Sequence, residues 1–432
     1  MGYDRISALP DSLITEILLW LPTRDSIKTS VLSTRWRNLW LDVPGLDLLS
    51  NDLDSFSKVL TNNFGNSFLK FNRQTRLHKF KIKYDYHNSF VDPSQIREWI
   101  VTAVDHRGVQ HLDAEVQNAK FHICFLPVNI YNSNTLVSLK LQHVVVPKNP
   151  EFVFSLPCLK ILHLKKIRYE LNMVRFQFES VKTLHVRSQT LKIFCLTFHP
   201  GSFDTKDSVE IDAPRLKYMS FSDRIVVKNL NSLLKIDIDT DFNLTCPLVS
   251  EVVSKRDLIH EFLTGIASVT HMIISHPTLE ILYRYSQVGQ FPSFHNISHF
   301  QASFSSSSLP LLLVFLESCS NLKSLILDFS VSTEPEQKID LTKVPQCLVS
   351  TLERVEINKL NMWEGTGIKL AIYFLKNSAV LKKLSLNDSH VTREDISFYN
   401  GVFKLIRSSK KCQVFFDDMP LVMLGRNCRC EN

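Results

Sequence analysis

A short apolar pattern, Leu-x-x-Leu-x-Leu or a close variant, recurs through the body of this chain and constrains its fold more than any other feature. In most instances the last three residues alternate apolar, polar, apolar, as a strand with one buried face requires. The pattern begins at Leu136, Leu159, Val181, Leu216, Leu233, Ile297, Leu322, Leu352 and Leu381. It therefore predicts a series of short strands of similar design.

The spacing of these strands predicts how they assemble. The first three starts lie about 22 residues apart, and most later ones about 18 to 35, which is typical of an irregular leucine-rich-repeat solenoid. One unit of this kind cannot bury its own apolar edge, so neighbouring units must stack. We therefore expect an α/β chain of stacked units, and the alternative left open is an α/β domain of another topology.

Segments between the strands are predicted to be helical. Residues 94–104 and 309–319 are two of them, and a third helix is expected to cap the last strands. The first segment has an apolar side made of Ile96, Trp99, Ile100, Ala103 and Val104. The capping helix has an apolar side made of Ile368, Ala371, Ile372 and Leu375.

The first 45 residues have a different, helical pattern. Apolar residues at 13, 14, 17, 18 and 21 predict a helix that begins near Pro10 or Asp11 and is stopped by Pro22. A second helix capped by Thr23 and a third capped by Ser33 are expected to follow. The segment thus predicts a small three-helix module.

This module carries more large apolar side chains than three short helices can hide. Each one left in water forgoes roughly 1.5–3 kcal/mol, so a partner that covers them is favoured. Two alternatives stay open, namely that these side chains form the core of a helical bundle or pack on the rest of the chain.

The amino-acid sequence of this segment is specific enough for comparison with a known family. Residues 4–11 read Asp-Arg-Ile-Ser-Ala-Leu-Pro-Asp, residues 21–24 read Leu-Pro-Thr-Arg, and residues 30–40 read Ser-Val-Leu-Ser-Thr-Arg-Trp-Arg-Asn-Leu-Trp. This resembles the F-box of plant F-box proteins with leucine-rich repeats, with Thr34 a minor departure. The resemblance implies docking on the Skp-type adaptor of a cullin-RING ubiquitin ligase. By the resemblance, the adaptor-binding residues are Leu9, Pro10, Ile14, Ile17, Leu18, Leu21, Val31, Leu32 and Trp36.

The C-terminal part carries a second resemblance. Residues 344–348 read Val-Pro-Gln-Cys-Leu and residues 375–384 read Leu-Lys-Asn-Ser-Ala-Val-Leu-Lys-Lys-Leu. They resemble the FBD region that follows the repeats in many plant F-box proteins, whereas residues 357–365 depart from its usual Trp-containing strand. The resulting division is an F-box over 1–48, leucine-rich repeats over 49–340, an FBD region over 341–420 and a tail over 421–432.

Composition excludes several classes of function. The net charge of +7 is modest for 432 residues and the lysines are dispersed, so nucleic-acid binding is not expected. No apolar run reaches about 18 residues, so no membrane segment is expected. The nine scattered cysteines predict reduced, mostly buried thiols. Without a secretion signal, the expected location is the cytoplasm or the nucleus.

Motifs for chemistry are weak. His260-Glu261 lacks the second histidine of a zinc-protease helix, and Cys428 and Cys430 lack the two further ligands that a zinc site needs. Asp237, Asp239 and Asp241 share one strand face, which we interpret as a solvated face rather than a cation site. Lysines at 79, 81 and 83 are interpreted in the same way, although they would also suit an acidic partner. No cofactor, metal or catalytic residue is predicted.

The resemblance implies a non-catalytic substrate-recognition subunit of a Skp-cullin-F-box ubiquitin ligase. Its F-box would hold the adaptor and, through it, the cullin, while its repeats would bind an unknown protein substrate for degradation. One alternative is an interaction scaffold whose repeats bind partners without degradation. The other is a small-molecule co-receptor, which would need a deep pocket with converging basic residues.

Overall fold

The computed structural model describes the chain in blocks. The described residues are 5–6, 8–49, 69, 76–85, 93–117, 126–146, 153–169, 183–198, 208–222, 225–228, 232–242, 244, 249–305, 307–329, 339–358, 366–387, 408–409, 411–416 and 419–420. The chain forms two compact units. Residues 1–216 with 225–229 make the first unit, and residues 217–224 with 230–432 make the second.

The first unit begins with short helical segments. Helix α1 is Asp11–Leu18 and helix α2 is Thr23–Lys28. Two 3-10 segments follow, at Thr29–Val31 and Trp36–Asp42. Pro44 and the glycine after it then lead directly into the first strand.

The main sheet of the first unit is parallel. Its strands pair in the order β1-β2-β3-β4-β7-β9, and β5 (Val145–Val146) adds to the end of β7. The six strands are Gly45–Leu49 (β1), Lys79–Asp85 (β2), His111–Gln117 (β3), Ser138–Gln142 (β4), Ile161–Tyr169 (β7) and Ile193–Phe198 (β9). Because parallel strands need a crossover connection, helix α3 (Pro93–Val101) with its π-helical turn Thr102–His106 lies between β2 and β3, and a 3-10 segment at Val128–Asn132 lies between β3 and β4.

A second parallel sheet of the first unit was not predicted. Its strands pair in the order β12-β10-β8-β6. They are Val153–Ser155 (β6), Thr183–Arg187 (β8), Ser208–Asp212 (β10) and Ile225–Lys228 (β12). The pattern that starts at Val181 therefore gives a strand of this sheet and not of the main one, because β8 pairs with β6 and β10.

The second unit alternates parallel strands with helices. The strands pair in the order β11-β13-β14-β15-β16-β17-β18-β19, and β20 (Met419–Pro420) closes the series antiparallel. The strands are Tyr218–Ser222 (β11), Lys235–Ile238 (β13), His271–Ile274 (β14), His299–Phe304 (β15), Ser324–Phe329 (β16), Arg354–Asn358 (β17), Lys383–Asn387 (β18) and Gln413–Phe416 (β19). The helices are Val249–Ser254 (α4), Arg256–Gly265 (α5), His276–Ser286 (α6), Leu311–Ser318 (α7), Gln346–Ser350 (α8) and Thr366–Asn377 (α9).

The strand predictions are confirmed at all nine pattern starts, each of which leads into a strand. In β7, Leu162 and Leu164 are buried whereas His163 between them is half-exposed. The leading residue Leu159 is buried at the approach to the strand, as expected. Mixed helix and parallel strand is thus the fold class observed.

The helix predictions need adjustment at their ends and faces. Helix α1 ends at Leu18, four residues before Pro22, and neither Thr23 nor Ser33 caps a helix through its side chain. The predicted third helix is a 3-10 segment. The region 94–104 is helical with all five of its predicted apolar residues buried, and the helix predicted over 309–319 spans Leu311–Ser318. In α9 the fully buried side is Leu370, Ala371, Tyr373, Phe374 and Leu375, since the predicted Ile368 and Ile372 lie half-exposed at its edge.

In the part of the chain that the structure describes, none of the helices combines the length and the apolarity needed to cross a bilayer.

Candidate functional site

The helical module has a small core of its own. Ile14 and Leu18 on α1 are 0% and 1% exposed. They pack with Trp36, Leu39 and Val43, and Leu9 and Leu19 lie partly buried against this cluster. Ile14 and Leu18 are four residues apart, so they point the same way from one helix. Three residues predicted to bind the adaptor, Ile14, Leu18 and Trp36, thus lie inside the module.

A second apolar stripe of the same helical segment faces outward. Leu13, Ile17, Trp20 and Leu21 are 44%, 46%, 86% and 37% exposed. Their spacing of four, three and one residues keeps them on one side, because the segment continues helically past α1 through bonds from Trp20 N to Ile17 O and from Leu21 N to Leu18 O. Of the nine residues predicted to bind the adaptor, Ile17 and Leu21 lie on this stripe, together with Leu13 and Trp20.

Two more predicted residues lie exposed after α2. Val31 is 85% exposed and Leu32 is 65% exposed, at the end of the 3-10 segment. Large apolar side chains so open to water usually mark an interaction surface when several occur together. The structure therefore separates the nine predicted residues into core residues, outward-facing residues and the Leu9-Pro10 segment.

The Leu9-Pro10 segment is held in place by Arg35. The Arg35 guanidinium donates from Nε to Oδ1 of Asp11 at 2.9 Å and from Nη2 to the same oxygen at 2.6 Å. Its Nη2 also donates to the carbonyl oxygen of Leu9. Because these contacts lie on both sides of Pro10, Arg35 fixes the exposed proline relative to the third helical segment.

The module is attached to the first strand by close packing at Gly45. The side chain of Leu19 lies over Gly45, where an added Cβ would meet Leu19 Cδ1 at 2.2 Å and Lys79 O at 3.3 Å. A larger residue at position 45 would force the Leu19 side chain to shift. The side chains of α1 and the start of β1 therefore form one packed joint.

The exposed strand face of the first unit carries complementary charges. One cross-strand row of this face has one residue from each of five neighbouring strands. Its members are Asp47, Lys81, Asp113, Lys140 and His163. Lys81 and Lys79 approach Oδ2 of Asp47 at 3.4 and 3.5 Å. The lysines at 79, 81 and 83 are thus engaged with carboxylates of the same sheet, since Lys83 also lies 3.2 Å from Glu115.

Burial changes the titration of groups on this face. It raises the pKa of the Asp113 carboxyl, against the opposing effect of Lys140 and Lys81. It lowers the pKa of His163 to about 4, and the positive charges of Lys140 and Lys165 act in the same direction. His163 is therefore a neutral imidazole near pH 7. Because it lies on a strand between two buried leucines, we assign it a structural role.

A cavity of about 310 Å³ lies beside Trp20 in the first unit. Two histidines on its wall, His78 and His111, meet edge to face with ring centroids 4.8 Å apart. Lys79 and Lys140 line it together with Asp113. The cavity thus combines an aromatic wall with several basic groups.

The residues of the weak chemical motifs make structural contacts where the structure describes them. Nδ1 of His260 lies 2.9 Å from the hydroxyl of the buried Tyr285, which anchors α5 on α6. Asp237 lies on β13 and accepts a 3.4 Å bond from Ser220, whereas Asp239 is exposed beyond the strand end. Within the described residues, no group of three His, Cys, Asp or Glu side chains is arranged to hold a metal ion. Cys428 and Cys430 lie outside the described residues.

The described thiols are mostly buried. Cys195, Cys319, Cys347 and Cys412 are buried and Cys158 is exposed, and all five are free. Burial raises the pKa of the Cys319 thiol, and it raises that of Cys347 to about 12. Such thiols stay protonated and are poor nucleophiles.

Comparison with known proteins identifies the family. The F-box domain model matches residues 6–47 and the FBD model matches residues 340–386. A protein of Arabidopsis thaliana whose name includes the words F-box/FBD/LRR-repeat protein is 52% identical over 96% of this chain and 99% of its own length. Two more F-box/FBD/LRR-repeat proteins of the same plant are 48% and 47% identical, each over 96% of this chain.

These matches connect the helical module to a general role. F-box domains generally bind Skp-type adaptors, and F-box proteins generally act as non-catalytic substrate adaptors of Skp-cullin-F-box ubiquitin ligases. The F-box match ends at residue 47, on the first strand to which the module is packed. The N-terminal helices and the series of parallel strands agree with these matches, which extend over nearly the full length of the relatives. The chain belongs to the plant F-box/FBD/LRR-repeat protein family.

Proposed function

We propose that this chain is the substrate-recognition subunit of a Skp-cullin-F-box ubiquitin ligase in the cytoplasm or the nucleus. Its F-box binds the Skp-type adaptor and, through it, the cullin. Its strands and helices stack as a leucine-rich-repeat solenoid that binds a target protein for ubiquitin-dependent degradation. The observation that carries the proposal is the outward stripe of Leu13, Ile17, Trp20 and Leu21 on an F-box.

The physical case rests on the area that the stripe exposes. Fully burying an exposed Leu, Ile or Val side chain gains about 1.5–3 kcal/mol, so each half-exposed side chain of the stripe contributes a part of that, and several together supply a non-directional attraction. The buried residues Ile14, Leu18 and Trp36 support this surface from beneath, while the outward residues contact the adaptor. Leu9 and Pro10, held by Arg35, extend the contact at one end.

The mechanism that we propose needs no chemistry by the chain itself. A receptor that holds the target near the ubiquitin carrier raises the effective concentration of a target lysine. Adaptor binding and target binding are then separate tasks of separate surfaces. Changes on the F-box stripe should leave target binding intact, and changes on the strand face should leave adaptor binding intact.

Co-expression with a plant Skp-type adaptor tests this proposal. We expect the wild-type chain to co-purify with the adaptor and the double change Leu9→Ala with Pro10→Ala to lower the yield of complex markedly. A wild-type chain that expresses as a folded protein but binds none of the plant adaptors offered would contradict the proposal and favour the scaffold alternative. Normal expression of the double variant serves as the control for folding.

A second candidate function is favoured by the cavity beside Trp20. Its volume of about 310 Å³ lies within the usual range for small-molecule sites, and Lys79 and Lys140 on its wall, next to Asp113, suit a ligand that carries a negative group. In this version the chain is a co-receptor that binds its target only with the small molecule present. Thermal-shift screening with aromatic carboxylates tests it, and a stabilisation that Lys140→Ala abolishes would support it over a receptor that acts alone.

A further inference from the structure

One row of side chains on the second unit contains three cationic residues, two histidines and a serine, and no carboxylate. The row consists of the facing residues at the beginning of six consecutive parallel strands, from β13 to β18. Its members are Lys235, His271, His299, Ser324, Arg354 and Lys383. We call it the basic row. Because neighbouring strands lie about 4.8 Å apart, the basic row is about 24 Å long.

The side chains of the basic row are open to water and close to each other. Lys235, His299 and Arg354 are exposed. The rings of His271 and His299 stack in parallel with centroids 4.2 Å apart and an angle of 7° between their planes. At its ends, Lys235 lies over the ring of Tyr218 at 5.5 Å and Lys383 lies over the ring of Phe415 at 4.7 Å. The row is thus ordered by stacking and cation–π contacts that leave its face accessible.

The histidines report the local potential. Partial burial lowers the pKa of His299, and the charges of Arg354 and Lys323 lower it further. The pKa of His271 is lowered by partial burial and by Lys235. The neighbouring charges that act on both rings are positive, and the fixed positive charge of the row lies on Lys235, Arg354 and Lys383.

The neighbouring rows have a different character, which makes the basic strip narrow. Two residues further along the strands, the middle row is mixed: it contains the half-exposed apolar side chains of Ile273 and Ile326, and its other members are Asp237, Gln301, Glu356 and Ser385. Two residues beyond that, Asp328 accepts from the side chains of Gln301 and Asn358 at 3.0 and 2.9 Å. The strip is thus bordered by a mixed row with two isoleucines near its centre and then by an acidic, amide-rich row.

We propose that the basic row binds an acidic, extended segment of the target protein. A single extended chain rises about 3.3 Å per residue, so roughly seven residues cover the row. Glutamate or aspartate side chains would contact the lysines and the arginine, and apolar side chains between them would contact Ile273 and Ile326 of the middle row. A nucleic acid fits less well, because its phosphates would extend over the acidic row beyond the strip. This inference rests on the proposed role as a substrate receptor and names the chemistry of its target.

Fluorescence anisotropy with labelled peptides and the purified full-length chain tests the inference. The probe is a twelve-residue peptide of Glu, Leu and Ser, and the comparison peptide has Lys in place of every Glu. A twelve-nucleotide oligothymidylate tests the nucleic-acid alternative. We expect the acidic peptide to bind at least about tenfold more tightly than the basic peptide or the oligonucleotide, with affinity that falls as salt is raised towards 0.15 M.

Charge-reversal variants locate the binding. The double change Lys235→Glu with Arg354→Glu should weaken binding of the acidic peptide at least about tenfold. The matched control, Lys369→Glu with Lys376→Glu, alters the net charge equally on exposed positions of α9 and should leave the affinity within about twofold. Equal effects of the two double changes, or tighter binding of the oligonucleotide or the basic peptide, would overturn the inference. Adaptor binding of the same proteins is measured in parallel, because its loss would count against the proposed function alone.

Discussion

The backbone N–H of Asp47 donates a 2.8 Å hydrogen bond to Oγ1 of Thr23 in a buried setting. Thr23 begins α2 and Asp47 lies on β1, so one bond joins the helical module to the first strand across 24 residues of chain. The side chain of Thr23, expected from the sequence to cap a helix, instead accepts from a strand. The F-box is thereby anchored by its second helix to the strands that follow it.

Replacing Thr23 by Val should loosen this joint. Valine keeps the shape but removes the acceptor, which leaves the buried N–H of Asp47 without a partner at a cost of about 1–3 kcal/mol. Hydrogen–deuterium exchange of peptides covering β1 should become faster by about tenfold or more. Thr34→Val, at an exposed position of the same module, is the control and should leave the exchange of β1 unchanged. Unaltered exchange in Thr23→Val would show that the bond contributes little.

Gly45→Ala should destabilise the same joint by steric overlap. The new Cβ would come within 2.2 Å of Leu19 Cδ1, and overpacking of this kind costs about 1–3 kcal/mol. The change Leu19→Ala alone should also destabilise, by removing apolar packing. The double variant should lose less than the sum of the two single losses, because the shortened side chain at position 19 leaves space for the new methyl group. Urea denaturation measures the loss in free energy of unfolding for the two single variants and the double variant. A loss in the double variant equal to the sum of the single losses would contradict the overlap.

Two neighbouring isoleucines on α1 should respond differently to truncation. Ile14→Ala creates a cavity in the module core and should cost about 2–5 kcal/mol of stability. Ile17→Ala removes an exposed side chain and should leave stability within about 0.5 kcal/mol while weakening adaptor binding. Circular dichroism during thermal unfolding and adaptor pull-down measure the two effects. Equal destabilisation by both changes would contradict the division of the helix into a core stripe and an outward stripe.

The stability of the first unit should depend on pH through His163. Its folded pKa is lowered to about 4, below the usual 6.5, so the unfolded chain takes up the proton first as pH falls. The contribution of His163 to the free energy of unfolding is therefore constant above about pH 6.5, and it is lost progressively as pH falls to about pH 4. Within the described residues, its buried Nε2 has no hydrogen-bond partner. His163→Gln cannot titrate, so the drop in urea midpoint between pH 7 and pH 4.5 should be smaller in this variant than in the wild type. An equal drop in both proteins would refute this assignment.

The sequence predicts the strands well because their period of two is local. Leu159, Leu162 and Leu164 have to be buried wherever the strand lies, so their pattern reveals it. Strand β14 was missed, although Val269, Met272 and Ile274 have the same spacing as the pattern residues of the other strands. A search for apolar residues of any type at that spacing would have found it.

The second sheet of the first unit could not be predicted from pattern alone. Strand β8 follows the same repeat pattern as β7, yet β7 pairs with β4 and β9 while β8 pairs with β6 and β10. Strand partners are chosen by packing between residues distant in sequence, which a local period does not record. For this reason the existence of strands was predicted better than their arrangement.

The candidate site was predicted as a region but not as a surface. Successive helix residues turn by 100°, so Ile14 and Ile17 lie on neighbouring stripes of one apolar face. Periodicity places both on that face, and only the packing of Trp36 and Leu39 decides which stripe is covered. Trp20 was missed, although it lies between Leu18 and Leu21 of the predicted apolar series and three residues after Ile17 on the outward side. Within that series, the division of the residues depends on tertiary contacts.

The most direct test of the account is the affinity of the full-length chain for a plant Skp-type adaptor, measured by calorimetry. The change Ile17→Asp places a charge in the middle of the outward stripe, whereas Val349→Asp does so at another exposed apolar position, in the second unit. We predict that Ile17→Asp lowers the affinity at least about a hundredfold, since an unpaired charge in an apolar interface is costly, and that Val349→Asp changes it less than about twofold. Equal affinities of the two variants would contradict the claim that this stripe binds the adaptor.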